Sequence, residues 1–276
     1  MNFELYIDKM NRIDRLFNTK KENILSLYFC AGYPAARNTV ETLQAMQASG
    51  IDMVEIGIPF SDPMADGAVI QDASTKSLRN GTSLAGMMEE LRDVRDSIDI
   101  PLLFMGYLNP IMQYGFEKFF SDCRERGIDG CIIPDLPFDD YMQYIKPLAS
   151  KYGVKVIMLI TPETSEERVR QIDNNTSGFI YMVSSAAVTG AQSSFEGQKA
   201  YFDRIKGMDL RNPRMIGFGI SNRATLEAAF ENAAGAIIGS KFVSLQGQTQ
   251  NAAEAVRKLK EAFFIVGYNI LFKHFD

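Results

Sequence analysis

Eight short runs rich in β-branched and apolar residues recur along the chain, at 24–30, 53–58, 102–105, 130–134, 155–160, 179–183, 215–217 and 236–238. Between them apolar residues fall three or four apart, as with Val40, Leu43 and Met46 or Met87, Leu91 and Val94, which is the spacing of a helix face. Strands joined by helices run parallel, and eight such units are enough to close a sheet on itself. The 276 residues contain no low-complexity linker and no compositional break. The pattern therefore predicts the α/β class and a single (β/α)8 TIM barrel over residues 1–276, with the open doubly wound sheet as the competing arrangement. An extra N-terminal helix is predicted around 3–17.

The longest connection follows the second run. It holds the turn-rich stretch 59–67 and then two helical patterns, at 68–79 and 83–98, so an insertion with an extra helix is predicted there. Loops that follow the strands form the reactive face of such barrels. Glu55, Asp135 and Tyr181 are all predicted at those strand ends.

One carboxylate stands out. Alternation along the second run puts Met53, Glu55 and Gly57 on one side and Val54, Ile56 and Ile58 on the other, so Glu55 faces the barrel interior. An ionised carboxylate there costs several kcal/mol unless it is paired or protonated, on the order of a few pKa units. Asp66 follows on the loop leaving the same strand, and both side chains can reach one pocket. Two carboxylates in one cleft can divide the work, one raised in pKa as proton donor and the other ionised as acceptor. Asp66-Gly67 is equally readable as a turn that caps the helix beginning near Ala68, and magnesium ligation by Glu55, Asp62 and Asp66 is compatible with oxygen donors.

Other chemistries are excluded by what is absent. The one histidine is His274, which removes a Ser-His-Asp triad and the histidine-based zinc sites. Cys30, Cys123 and Cys131 form no Cys-x-x-Cys pair and read as core thiols. A Schiff-base lysine on the barrel interior is not found, since Lys155 lies at the wrong end of its strand and Lys241 follows Ser240 at a helix start. The net charge of −5, without a basic stripe, argues against nucleic acid as a partner. The longest apolar segment, 262–272, is about half a bilayer span and reads as a helix closing a core. Residues 1–10 lack a basic-then-apolar signal pattern, so the cytoplasm is the expected location.

A second constellation is rich in glycine. Gly217, Gly219 and Ser221 follow the seventh run, Gly239 and Ser240 the eighth, and Gly190 the sixth. Barrels often hold a phosphate with the loops after strands seven and eight and the N-terminus of a short helix, so a phosphate-bearing ligand is predicted. Tyr181 can offer its phenol to a substrate hydroxyl or serve only as core. Phe218, Tyr28 and Tyr107 can form a slot for a flat aromatic ligand or simply pack. Asn109 is read as a turn residue that can also support Asp66 or Glu55.

The segment from Glu55 to Gly67, with its Pro-Phe-Ser-Asp-Pro-x-Ala-Asp-Gly run, closely resembles the tryptophan synthase α subunit family. The likeness extends to 28–34, 188–190 and 217–221 and covers nearly the whole chain. It implies retro-aldol cleavage of indole-3-glycerol phosphate to indole and glyceraldehyde 3-phosphate, in tryptophan biosynthesis. It matches Glu55 to the acid–base residue and Asp66 to the acceptor of the indole N–H. Tyr28 and Tyr181 match substrate-contacting aromatics, with Phe218 in the same slot, and Gly190, Gly219, Gly239 and Ser240 match the phosphate cradle. Asp62 and Thr189 match mobile-loop residues tied to closure. No cofactor is implied in this chain; pyridoxal phosphate is expected on a β subunit partner in an α2β2 assembly.

The chain departs from the family at 184–187, where Ser-Ser-Ala-Ala stands in place of an arginine-containing run found in many members, which bears on loop closure and coupling to the partner. Three other readings compete: a free-standing indole-3-glycerol phosphate lyase, a non-catalytic subunit that activates the β partner, and a metal-dependent aldolase.

Overall fold

Strands form where the apolar runs predict them, and their closure depends on one break in the fifth. The computed structural model describes residues 10–184 and 198–264. Its strands are Ile24–Cys30 (β1), Met53–Gly57 (β2), Leu102–Met105 (β3), Gly130–Ile132 (β4), Lys155–Ile157 (β5), Leu159–Ile160 (β6), Ile180–Val183 (β7), Arg214–Gly217 (β8) and Gly235–Ile238 (β9). Every pairing is parallel, in the order β5-β4-β3-β2-β1-β9-β8-β7-β6. β5 and β6 are the two halves of the fifth run, parted by Met158. β5 pairs with β4 and β6 with β7, so one chain segment joins the two edges of the sheet and makes a barrel of eight units.

The period of two along the strands sorts their side chains into two cores. Met53, Leu103, Ile132, Ile157, Tyr181, Met215 and Ile237 fill the barrel interior. Val54, Ile56, Ile58, Leu102 and Phe104 face outward, into the larger layer between barrel and helices.

The interior needs a floor. The helix Arg12–Thr19 supplies it, started by Asn11, whose side chain accepts from the Ile13 N–H at 2.9 Å. Ile13 and Phe17, four apart on one face, enter the interior cluster, and the Phe17 ring lies 5.8 Å from that of Phe179. Burial of each contributes roughly 1.5–3 kcal/mol. Of the helix expected at 3–17, only the part from Met10 onward falls within the described residues.

The insertion after β2 carries Ala68–Arg79, Leu84–Glu90 and a 3-10 turn at Val94–Asp96. The second pattern was expected to run as one helix over 83–98 and instead ends at Glu90. The reason is tertiary. The turn brings the Arg95 guanidinium to the carbonyls of Gly127, Ile98 and Ile100 and to Asp129 Oδ2 at 2.6 Å. A continuous helix would not meet all four. Asp129 is buried, accepts the Leu102 N–H at 3.0 Å and also pairs with Arg12 at 3.3 Å, so it ties the floor helix and the insertion to the barrel.

At the C-terminal end, Ala252–Phe263 packs Ala255, Val256, Leu259 and Phe263 into the outer core. The remainder of the apolar segment expected at 262–272 lies mostly outside the described residues. Cys30, Cys123 and Cys131 are buried free thiols. Among the described residues no helix is long and apolar enough to cross a membrane.

Candidate active site

Glu55 is fully buried as the middle residue of β2, beside Tyr28 across the β1–β2 register. Its Oε1 accepts a long bond from Ser26 Oγ at 3.5 Å, and its Oε2 has no partner. No cation meets it among the described ion pairs. Burial therefore raises its pKa to about 8, only partly opposed by Ser26. The carboxyl is held protonated at neutral pH.

Asp66 reaches the same cavity from the loop. That loop is pinned at both ends: the Phe60 N–H donates to Ser74 Oγ at 2.8 Å, and the Asp66 N–H to the Pro63 carbonyl at 3.1 Å. Tyr107 organises its centre. Its ring lies 5.3 Å from that of Phe60, its Oη donates to Asp66 Oδ2 at 2.9 Å, and the Ala65 N–H donates to the same Oη at 2.9 Å. Desolvation raises the Asp66 pKa to about 6 and the Tyr107 bond works against it, so this carboxylate is ionised at neutral pH. Asp66 does not cap the helix that follows, because Gly67 holds the cap position and no side chain bonds there.

Both carboxylates line one cavity of about 310 Å³. Tyr28, Tyr181 and Phe218 make its aromatic walls, with Met105 and Ile237 below. Glycines make room for the two tyrosines. A β-carbon at Gly57 would lie 2.2 Å from Tyr28 Oη, and one at Gly217 would lie 2.1 Å from Tyr181 Oη. Tyr181 meets Phe218 edge to face, with centroids 5.8 Å apart. Burial raises both tyrosine pKa values well above the usual value, so each phenol stays a donor.

The opposite side of the cavity is backbone. Phe218 and Gly219 are consecutive left-handed residues with φ of 63° and 72°, a turn held by Ser184, whose Oγ donates to the Phe218 carbonyl at 2.8 Å. Two helices start nearby. Arg223–Asn232 has a reciprocal capping box between Asn222 and Thr225, whereas Ser240–Thr249 starts at Gly239 with no side-chain cap. Its first N–H groups, with the positive end of the helix dipole, are open to an anion. Gly219, Gly239 and Ser240 all line the cavity.

Of the residues singled out from sequence, Tyr28, Glu55, Asp66, Tyr181, Phe218, Gly219, Gly239 and Ser240 thus share one cavity, while Thr189 and Gly190 lie outside the described residues. Some expectations change. Glu55 and Tyr181 lie within β2 and β7 rather than at their ends. Asp135 turns aside, its Oδ1 accepting the Leu108 N–H at 2.8 Å to start the helix Leu108–Tyr114. Asn109 lies inside that helix, and the support of Asp66 comes from Tyr107. Among the described residues no three acidic, cysteine or histidine side chains gather as a metal site, Glu55, Asp62 and Asp66 included. Lys155 is tied to Asp14 at 2.9 Å at the start of β5, whereas Lys241 lines the cavity.

Sequence reasoning passed over the role of Tyr107 and the contact of Ser26. Ser26 shares the inward face of β1 with Tyr28 by alternation, which was a usable signal. Tyr107 was expected in the aromatic slot, but it is not among the residues that line the cavity and instead holds the loop at Ala65 and Asp66, a role that depends on how far the 59–67 loop reaches.

The family model for the tryptophan synthase alpha chain matches residues 15–266. The chain is 61% identical over 252 residues to the tryptophan synthase alpha chain of Bacteroides fragilis, covering 91% of this chain and 96% of that one. It is 62% identical over 254 residues to that of Parabacteroides distasonis, covering 92% and 99%. Among solved structures, the alpha chain from Legionella pneumophila superposes with a TM-score of 0.81 at 31% identity, covering 94% of this chain and 99% of that one. The tryptophan synthase of M. tuberculosis in its aminoacrylate-bound form superposes at 0.77 with 26% identity, covering 89% and 95%. The match in sequence and in fold extends along nearly the whole chain, which belongs to the tryptophan synthase alpha chain family.

Proposed function

We propose that this chain carries out the α reaction of its lyase family, cleavage of indole-3-glycerol phosphate to indole and glyceraldehyde 3-phosphate, with Glu55 and Asp66 as the acid–base pair. The observation that carries this reading is the Glu55 carboxyl, buried and with Oε2 unpartnered, in one cavity with Asp66. A protonated Glu55 delivers its proton to C3 of the indole ring. The Glu55 carboxylate left behind takes the proton of the glycerol hydroxyl next to that carbon, the O–H electrons form the aldehyde, and the carbon–carbon bond pair returns to the ring, so that Glu55 ends the cycle protonated. Asp66, ionised, accepts the indole N–H and stabilises the positive charge that develops on the ring more than it stabilises the neutral substrate.

Tyr28, Tyr181 and Phe218 form the slot for the flat ring. Gly219, Gly239 and Ser240, with Gly190, bind the phosphate, and Thr189 closes over the site together with Asp62. Residues 1–276 act as one domain in the cytoplasm. The partner is a β subunit in an α2β2 assembly, and pyridoxal phosphate, which supplies the chemistry that consumes indole, belongs to that subunit. Met64 and Met112, both exposed and on segments that follow strand ends, offer apolar surface for such a partner.

The test is indole release from indole-3-glycerol phosphate by the purified chain, with chelator present, with and without β subunit. Slow release that rises sharply with the partner supports the reading. Fast release from the chain alone points to a free-standing lyase, and no release in either case overturns the catalytic assignment.

A further inference from the structure

We infer that Lys241 is a substrate-binding residue for the phosphate monoester, supplying the positive charge that the backbone cradle lacks. The inference deepens the proposed function and rests on it for the identity of the substrate.

Among the described residues that line the cavity, Lys241 is the only cation. The other charged residues there are Glu55 and Asp66, both acidic. A phosphate dianion entering beside two carboxyl groups meets repulsion from whichever is ionised, and backbone N–H groups offset this only with partial charges. A full positive charge at the phosphate end changes that balance. Lys241 is the second residue of Ser240–Thr249, the helix whose start has no side-chain cap. An ammonium at a helix N-terminus opposes the helix dipole, so the position is unfavourable without an anion.

Several other lysines and arginines of the described residues are engaged in ion pairs. Lys76 pairs with Asp72, Lys199 with Asp203, Arg223 with Glu227 and Arg257 with Glu254 and Glu261. Lys241 has no hydrogen bond, ion pair or ring contact among the described residues. The unpartnered Glu55 Oε2 in the same cavity shows independently that this space is shaped to complete its polar contacts with a ligand. The cradle at Phe218 and Gly219 then orients the phosphate, and Lys241 adds charge to it from the rim.

The experiment compares the full-length chain with Lys241→Gln and Lys241→Arg. Binding of inorganic phosphate and of glyceraldehyde 3-phosphate is measured by calorimetry, and kcat and KM for indole-3-glycerol phosphate with β subunit present. For Lys241→Gln, Kd for both anions and KM should rise about tenfold or more, the size of one hydrogen bond to a charged group. kcat should change little, the loss should shrink at high salt, and Lys241→Arg should recover most of the affinity. A thermal midpoint equal to that of the parent separates lost binding from lost folding. Unchanged Kd and KM in Lys241→Gln overturn the inference while leaving the lyase reading intact. A parent chain that binds phosphate through Lys241 but releases no indole overturns the lyase reading and leaves the Lys241 assignment standing.

Discussion

Tyr107 Oη sits between the two ends of one loop turn, donating to Asp66 Oδ2 and accepting from the Ala65 N–H, each at 2.9 Å. The phenol thereby fixes the Asp66 carboxylate relative to its own backbone. Tyr107→Phe removes a bond that holds the Asp66 pKa down, so the acid limb of the kcat/KM profile should move to higher pH than in the parent. The loss of one such bond to a charged group should lower kcat/KM by about tenfold or more. A profile that keeps its acid limb and its height would remove Tyr107 from any positioning role.

The two carboxyl groups set a window for activity. Asp66 must be ionised and Glu55 protonated, and their pKa values of about 6 and about 8 leave that combination dominant near neutral pH. A bell-shaped kcat/KM profile with apparent limbs near those values is expected, the limbs belonging to the pair. Measurement of initial indole release from pH 5 to 9.5 checks it. A rate still rising above pH 9 would be incompatible with Glu55 as the proton donor.

Glu55→Gln should separate stability from activity. Burial raises the folded pKa of Glu55 from its ordinary value of 4.5 to about 8. Between these values the unfolded chain has lost the proton that the folded chain retains, so folding stability falls as pH rises, by up to several kcal/mol. The amide removes that penalty. Glu55→Gln should match the parent near pH 4.5, exceed it in urea midpoint by a growing margin toward pH 8, and lose indole release by at least about 10²-fold. Equal stability at pH 8.5 would show that Glu55 is not buried in its ionisable form.

Gly217→Ala tests how the aromatic slot is built. The new methyl would lie 2.1 Å from Tyr181 Oη and 2.4 Å from Cζ, so the ring must leave its place. A loss of about 1–3 kcal/mol in stability is expected, together with a raised KM. In a double-mutant cycle with Tyr181→Ala, the two losses should be far from additive. Additive losses would mean that the ring does not occupy that space.

Asp129 offers a control far from the chemistry. It is buried and pairs with Arg95 at 2.6 Å and Arg12 at 3.3 Å. Asp129→Asn should cost about 3–5 kcal/mol in chemical denaturation, because two guanidinium groups lose their counter-charge. KM should stay unchanged in the fraction that remains folded.

The alternation of residues along the chain determined the barrel and the inward face of Glu55, because a period of two leaves no choice of side once a strand forms between helices. Glu55, Asp66, Tyr181 and the glycines around 217–221 and 239 were legible for the same reason, together with a motif long enough to be specific. The break at Met158 was not, since one residue's departure from the ladder depends on both neighbouring strands. Nor were the end of the helix at Glu90, decided by where the Arg95 guanidinium finds four acceptors, or the hold of Tyr107 on Asp66 across 41 positions. Lys241 was legible only as a residue at a helix start, and packing placed it in the lining of the cavity. Period and composition act on neighbours in the chain, whereas pKa values, unpartnered oxygens and a shared cavity arise only when distant segments exclude water together.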